Sequence, residues 1–286
     1  MEQYLIGIGA QRAGTTLLYR LLSQHHQIDK SIKEIHYFDK TKNVKLEEYL
    51  AKFEGKKDIK LDITPIYMFY PDCLIKMARI LPIERTKIIV LLRNPIIRAQ
   101  SHYYKTKRMG FEKLSFKDAF LYERERMAKN DFGYREYSYF ERGKYFKQVK
   151  RALDIFPDKN VKVFVFEDFI QHQQGVINDI CDFLLLEKME IKSLHANESY
   201  DSSFRFFNRY IVFNKDRIKA HIPEQFYHPL SIVFKKAKEV NTKKLVKEEI
   251  DRNFYKQLID YYLDDVKNLC SLINVDLVDR WKMKDI

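Results

Sequence analysis

Residues 4–16 read YLIGIGAQRAGTT, and this stretch decides the fold. An apolar strand ends at Gly9, and Thr15 and Thr16 open a helix after Gly14. Backbone N–H groups that turn inward in such a loop, together with the N-terminus of the helix, favour an anion. The stretch therefore predicts a chain that binds a phosphorylated ligand.

The loop differs from a nucleoside-triphosphate loop at one decisive position. The spacing Gly9-x4-Gly14 is that of the P-loop, but Thr15 stands where the P-loop has lysine. The cation lies earlier in this chain, at Arg12, inside the turn. We therefore expect a different phosphate ester. A P-loop-like nucleotide kinase, a nucleotide-binding module and a non-catalytic anion-binding protein remain as alternatives.

A second phosphate-binding pattern lies about 80 residues downstream, in KIIVLLRNPIIRAQS at residues 87–101. Ile88 to Leu92 is apolar at every position, as in a parallel strand buried on both faces. Arg93 follows the carboxyl end of this strand, where ligands bind in open α/β sheets. Pro95 then suits the first turn of a helix. Arg93 and Ser101 are expected to face one crevice.

A third segment, KEIHYFD at residues 33–39, supplies candidates for proton transfer. Glu34 and His36 are two residues apart, so in an extended segment they project from the same side. A carboxylate or an imidazole can take the proton of a hydroxyl group as that hydroxyl attacks. Either residue is therefore a candidate general base.

These motifs resemble those of sulfotransferases that use 3′-phosphoadenosine-5′-phosphosulfate (PAPS) and release its desulfated form, PAP. They are closest to the motifs of the heparan-sulfate and related carbohydrate branch. The resemblance implies an α/β fold, a parallel β-sheet flanked by helices like that of P-loop NTPases. It implies that Arg93 and Ser101 bind the 3′-phosphate. It also implies that the 5′-phosphosulfate is bound by Gln11, Arg12, Ala13, Gly14, Thr15 and Thr16.

The resemblance also assigns catalytic roles. Glu34 matches the proposed general base of the carbohydrate branch, with His36 as the second candidate. Most members have lysine where this chain has Arg12; arginine preserves the charge that stabilises a departing phosphate but cannot easily give up a proton. The implied reaction is in-line transfer of a sulfuryl group from PAPS to an acceptor hydroxyl, with no metal required.

Composition is consistent with an anionic ligand. The 286 residues of the chain carry a net charge of +12. This charge favours anionic partners such as PAPS and an anionic glycan or lipid acceptor. Nucleic acid is not expected, because no reader motif is present. Cys73, Cys181 and Cys270 lack metal-ligand spacing. With no apolar span and no signal peptide, the sequence predicts a cytoplasmic protein or an isolated catalytic domain.

The organisation of the chain is predicted to be simple. We expect one domain over residues 1–286, in which residues 190–232 form a lid or an acceptor-binding insertion. The lysines between 235 and 247 are expected to form a solvated helix face. Helical spacing from Thr242 to Leu272 predicts a long C-terminal helix that packs on the sheet.

Overall fold

A parallel sheet of five strands organises the computed structural model, which describes residues 2–53, 55, 57–192, 200–202, 242–244 and 249–284. The strand order is β2-β3-β1-β4-β5. The strands are β1 (Gln3–Gly9), β2 (Ile28–Lys30), β3 (Ile59–Ile63), β4 (Thr86–Leu92) and β5 (Val161–Val165). All four pairings are parallel. The predicted α/β sheet is confirmed.

The central strands of the sheet are almost entirely buried. Every residue of β3 is buried, and in β4 only Lys87 is partly exposed. Strand β1 pairs with both neighbours, so that Gly7 lies opposite Ile63 of β3 and Ile89 of β4. The apolar run of β4 is typical of a parallel strand covered by helices on both faces. Strand β3 differs, because it also buries Lys60 and Asp62, which are held by hydrogen bonds. The carboxyl ends of β3, β1 and β4 consequently lie side by side.

Thirteen helices, numbered in chain order, lie within the described residues. They are α1 (Thr15–Leu22), α2 (Tyr37–Lys40), α3 (Leu46–Leu50), α4 (Pro71–Ile80), α5 (Pro95–Arg108), α6 (Phe116–Leu121), α7 (Glu123–Lys129), α8 (Asp131–Glu136), α9 (Phe146–Ile155), α10 (Phe166–Gln171), α11 (Gln173–Leu184), α12 (Arg252–Ile273) and α13 (Leu277–Arg280). Short 3-10 turns precede β4, α9 and β5. None of the helices among the described residues has both the length and the apolar character needed to cross a membrane.

The chain divides into two compact units. The first comprises Met1–Arg98, Glu141–Ala196 and Lys256–Ile286, and it holds the parallel sheet. The second comprises Ala99–Phe140 and Asn197–Tyr255, and it holds α6 to α8 and an antiparallel pair, β6 (Tyr200–Ser202) with β7 (Thr242–Lys244). The single domain predicted over residues 1–286 stays a prediction.

One predicted boundary is corrected. The C-terminal helix begins at Arg252 and not at Thr242, because Asp251 accepts hydrogen bonds from the backbone N–H groups of Asn253 (2.9 Å) and Phe254 (3.3 Å) and so caps it. Most of the expected insertion at 190–232, and all but two of the lysines between 235 and 247, lie outside the described residues.

Candidate active site

The loop between β1 and α1 has the shape expected of a phosphate cradle. Its Ala10 N–H donates to the Leu91 carbonyl (2.7 Å), which ties the loop to β4. Gly14 caps α1 in the left-handed region, at φ 86°, and a Cβ there would lie 2.7 Å from the Phe166 ring. Helix α1, which is described throughout, has no acidic side chain in its first turn and no side-chain cap. Its N-terminal amides therefore fit an anion.

Arg12 forms the sharp part of this loop. It is a non-glycine residue at φ 73°, and its side chain is half-buried. Its carbonyl accepts a hydrogen bond from Nη1 of Arg93 (3.0 Å). The first predicted phosphate motif and the second are therefore joined directly. Of the two predicted threonines, Thr15 is buried and Thr16 is exposed.

Three arginines from other segments surround Gln11 and Arg12. Nη1 of Arg142 donates to Oε1 of Gln11 (3.0 Å), and Nη1 of Arg98 donates to the Gln11 carbonyl (3.4 Å). Arg98 is fully buried, and Arg142 is nearly so. With Arg93 they give the loop a strongly positive environment, which suits phosphate and sulfate oxygens. Sequence reasoning left Arg98 and Arg142 out of the site.

Both the guanidinium and the backbone carbonyl of Arg93 are held by contacts. Its guanidinium lies 4.4 Å from the centroid of the Phe166 ring, and its carbonyl accepts a hydrogen bond from Oη of Tyr145 (2.9 Å). Burial lowers the pKa of Arg93, and the nearby Glu167 opposes that effect. An arginine remains cationic under these conditions. It is therefore a rigid cation at the carboxyl end of β4.

Ser101, the predicted partner of Arg93, lies in helix α5 and is buried. It belongs to the second compact unit, whereas Arg93 belongs to the first. The binding of one 3′-phosphate by both residues stays a prediction.

Glu34 lies between the side chains of Lys33 and His36. Nζ of Lys33 lies 3.2 Å from Oε1 of Glu34, and Nε2 of His36 lies 3.3 Å from Oε2. Burial alone would raise the pKa of Glu34, but the hydrogen bond to His36 and the charge of Lys33 outweigh it and lower the pKa to about 2. The carboxylate is consequently ionised at neutral pH.

His36 contacts carboxylates through both ring nitrogens. Nδ1 lies 3.0 Å from Oδ2 of Asp39, whose side chain is buried, and Nε2 faces Glu34. Burial lowers the pKa of His36, but the hydrogen bonds to Asp39 and Glu34 outweigh burial and raise it. The extended segment expected here is wrong, because His36 is left-handed at φ 55° and heads α2. The side chains of Glu34 and His36 nevertheless meet. Asp39 was missed, although it lies one helical turn after His36 in the quoted motif.

A buried network holds this segment beside the sheet. The Ile35 N–H donates to Oγ1 of Thr64 (3.1 Å), and Oγ1 of Thr64 donates to Oδ1 of Asp62 (2.6 Å). The Thr64 N–H donates to the Gly7 carbonyl of β1 (3.1 Å). Asp62 is fully buried, and burial raises its pKa to about 6. The hydrogen bonds from Thr64 and Tyr49 lower this pKa but do not outweigh burial. Strand order thus brings all three sequence motifs to one edge of the sheet.

Comparison with known proteins gives a family match over most of the chain. The family model described as the sulfotransferase domain matches residues 3–221. The human heparan sulfate glucosamine 3-O-sulfotransferases 3B1 and 3A1 are each 29% identical to the chain over 192 residues, or 64% of it. The membrane-associated sulfotransferase kil1 of Dictyostelium discoideum is 35% identical over 105 residues, which is 35% of this chain and 22% of that protein.

One solved structure shares the fold throughout. The crystal structure of a sulfotransferase from Alicyclobacillus acidocaldarius superposes with a TM-score of 0.70 and 24% identity, and 99% of each chain is covered. This likeness confirms the predicted P-loop-NTPase-like fold.

The chain spans less than half of the human relatives' length, 46% of 3B1 and 44% of 3A1.

Proposed function

Since this chain belongs to the sulfotransferase family, we propose that it transfers a sulfuryl group from PAPS to an acceptor hydroxyl, and that the acceptor is a carbohydrate. The observation that carries the proposal is the pairing of a cationic phosphate loop with an ionised Glu34 at the same sheet edge. A kinase loop would need a lysine where Thr15 stands. The loop, Arg93 and the family match together favour a sulfotransferase over a kinase.

The residues around the loop fit the phosphates of PAPS. When bound, PAPS supplies the sulfuryl group that is transferred. Arg12 and the N-terminal amides of α1 would stabilise negative charge on the 5′-phosphate side, where fixed donors need no reorganisation. Arg93, with Ser101, would bind the 3′-phosphate by charge-assisted hydrogen bonds.

Glu34 is proposed as the group that removes the acceptor proton. Both nitrogens of His36 already face carboxylates, and its raised pKa favours the protonated ring, which cannot accept a proton. Each oxygen of Glu34 has a second lone pair beyond its contact with Lys33 or His36. A pKa of about 2 makes Glu34 a weak base. The acceptor proton, however, becomes more acidic as the oxygen bonds to sulfur, so that an ionised carboxylate suffices.

A carbohydrate acceptor is supported by the relatives and by charge. Two human relatives are named as heparan sulfate glucosamine 3-O-sulfotransferases, and a net charge of +12 favours an anionic glycan. An anionic lipid is the competing acceptor of similar charge.

A transfer assay tests the proposal. Purified protein is incubated with labelled PAPS and a panel of acceptors comprising anionic glycans, neutral sugars, anionic lipids and phenols. We expect label on a glycan hydroxyl. Label on lipid or phenol alone would refute the carbohydrate assignment. If the protein transferred phosphate from ATP and bound no PAP, sulfuryl transfer itself would be refuted.

A further inference from the structure

The chain has a single tryptophan, and it lies where the C-terminus meets the phosphate side of the site. Trp281 follows helix α13 and is buried. Its ring Nε1 donates to Oε2 of Glu167 (3.2 Å), and its backbone carbonyl accepts a hydrogen bond from Nδ2 of Asn94 (3.1 Å). Trp281 therefore bonds to two segments that are distant in the sequence.

Asn94 and Glu167 also bond to each other. The Asn94 N–H donates to Oε1 of Glu167 (3.2 Å), which closes a ring of three hydrogen bonds. We call Asn94, Glu167 and Trp281 the C-terminal clamp. Oδ1 of Asn94 additionally accepts from the N–H groups of Ile96 (3.0 Å) and Ile97 (3.2 Å), so the clamp also caps α5. Asn94 and Trp281 are buried and Glu167 is half-buried, and a polar network in which every member is bonded in this way is rigid.

The clamp is linked to Arg93 in three ways. Asn94 is the next residue in the chain, so its position sets the backbone that carries Arg93. Glu167 follows Phe166, whose ring supports the Arg93 guanidinium and closes against Gly14. Tyr145, which donates to the Arg93 carbonyl, has its ring 6.2 Å from that of Trp281. Displacement of Trp281 would loosen each of these supports.

We propose that Trp281 is a positioning residue, which through Asn94 and Glu167 holds Arg93 in the orientation that binds a 3′-phosphate. The inference rests on the proposed function, because it takes Arg93 as the 3′-phosphate ligand. It assigns the C-terminal segment an indirect part in ligand selection, exerted through Asn94 and Glu167.

The test compares PAP with AMP, which is PAP without the 3′-phosphate. Trp281→Phe keeps an aromatic ring beside Tyr145 and removes the Nε1–H donor to Glu167. We expect its affinity for PAP to fall about three- to tenfold, because a loosened Arg93 would lose the equivalent of one ordinary net hydrogen bond to the 3′-phosphate. The affinity for AMP should stay within about twofold. Both are measured by competition calorimetry, with thermal unfolding as the check on folding.

A second variant tests the same clamp from the other side. Asn94→Ser keeps a side-chain oxygen that can cap α5 but removes the Nδ2 donor to the Trp281 carbonyl without adding charge, so it should also weaken PAP selectively. Lys284→Ala is the matched control, since it removes only an exposed ion pair with Asp279 in the same segment. We expect the control to bind PAP as the wild type does.

Three results decide the matter. The inference is overturned if both clamp variants bind PAP with wild-type affinity. It is equally overturned if their affinities for PAP and AMP fall by the same factor, as a general structural defect would produce. If the wild-type protein does not prefer PAP to AMP, the proposed function fails, and the inference fails with it.

Discussion

Replacement of Glu34 by glutamine separates proton transfer from packing, because it keeps the shape of the side chain and removes its charge. The structure sets the size of the effect on stability. A fall in the pKa of Glu34 from 4.5 to about 2 corresponds to about 3 kcal/mol in favour of the ionised form. Asp39 still faces His36 in the variant, so we expect about 1–3 kcal/mol of lost stability near pH 6.

The pH dependence of that loss has a definite sign. The folded protein binds the Glu34 proton less readily than the unfolded chain does, so the stabilisation is fully present above about pH 4.5. It disappears as the pH falls from there towards about 2. The difference between wild type and Glu34→Gln, measured by urea unfolding, should therefore shrink over this range. An equal difference at pH 3 and pH 6 would contradict the ion-pair explanation.

Activity gives the second measurement on the same variant. We expect the rate of sulfuryl transfer to fall by about 10² to 10⁴, which is the usual contribution of a general base. PAP affinity should stay within a few fold, because the contacts of Glu34 are with Lys33 and His36 and not with the arginines around the phosphate loop. Glu125→Gln, which removes an exposed carboxylate paired with Lys129, is the matched control and should leave the rate unchanged. If Glu34→Gln remains near wild type and His36→Ala abolishes turnover, the roles of the two residues are reversed.

Three further outcomes are expected. Arg93→Ala should remove most of an at least tenfold preference for PAP over AMP in calorimetry, and equal wild-type affinities would refute the 3′-phosphate site. Arg12→Ala should lower the transfer rate by about two to three powers of ten. Transfer by the wild-type protein should proceed in EDTA, and strict dependence on magnesium would contradict the proposed chemistry. Because burial raises the pKa of Asp62 to about 6, this group makes the protein less stable as the pH rises from about 4 to about 6. Asp62→Asn should flatten that part of the urea-unfolding profile, and an unchanged slope would show that Asp62 does not titrate there.

The sheet could be predicted from sequence wherever a strand is apolar throughout. Strands β1 and β4 have this pattern, because both of their faces are covered. Strand β2 is only three residues long and ends in an exposed lysine, so its sequence carries no such signal. The start of α12 was misplaced because helical periodicity continues through the sequence before the Asp251 cap.

The candidate site was predictable where its residues are close in the sequence. The loop at residues 10–16 and the Glu34–His36 pair lie within short motifs with characteristic spacing. Arg142 and Trp281 reach the site only through folding: Arg142 bonds to Gln11 across 131 residues, and Trp281 bonds to Asn94 across 187. Spacing carries no information about such contacts.

Strand order also sets which charged groups lie in each part of the site. Arginines collect where β1 and β4 end, around Arg12 and Arg93, whereas the Glu34 and Asp62 carboxylates lie where β3 ends. Phosphates on the first side would gain charge-assisted hydrogen bonds, and the Glu167 carboxylate near Arg93 already accepts hydrogen bonds from Asn94 and Trp281. On the second side, Lys33 and the protonated form of His36 hold Glu34 ionised without bringing it among the phosphate ligands. Since β1 lies between β3 and β4, an acceptor hydroxyl activated by Glu34 would approach the phosphate loop from the β3 side.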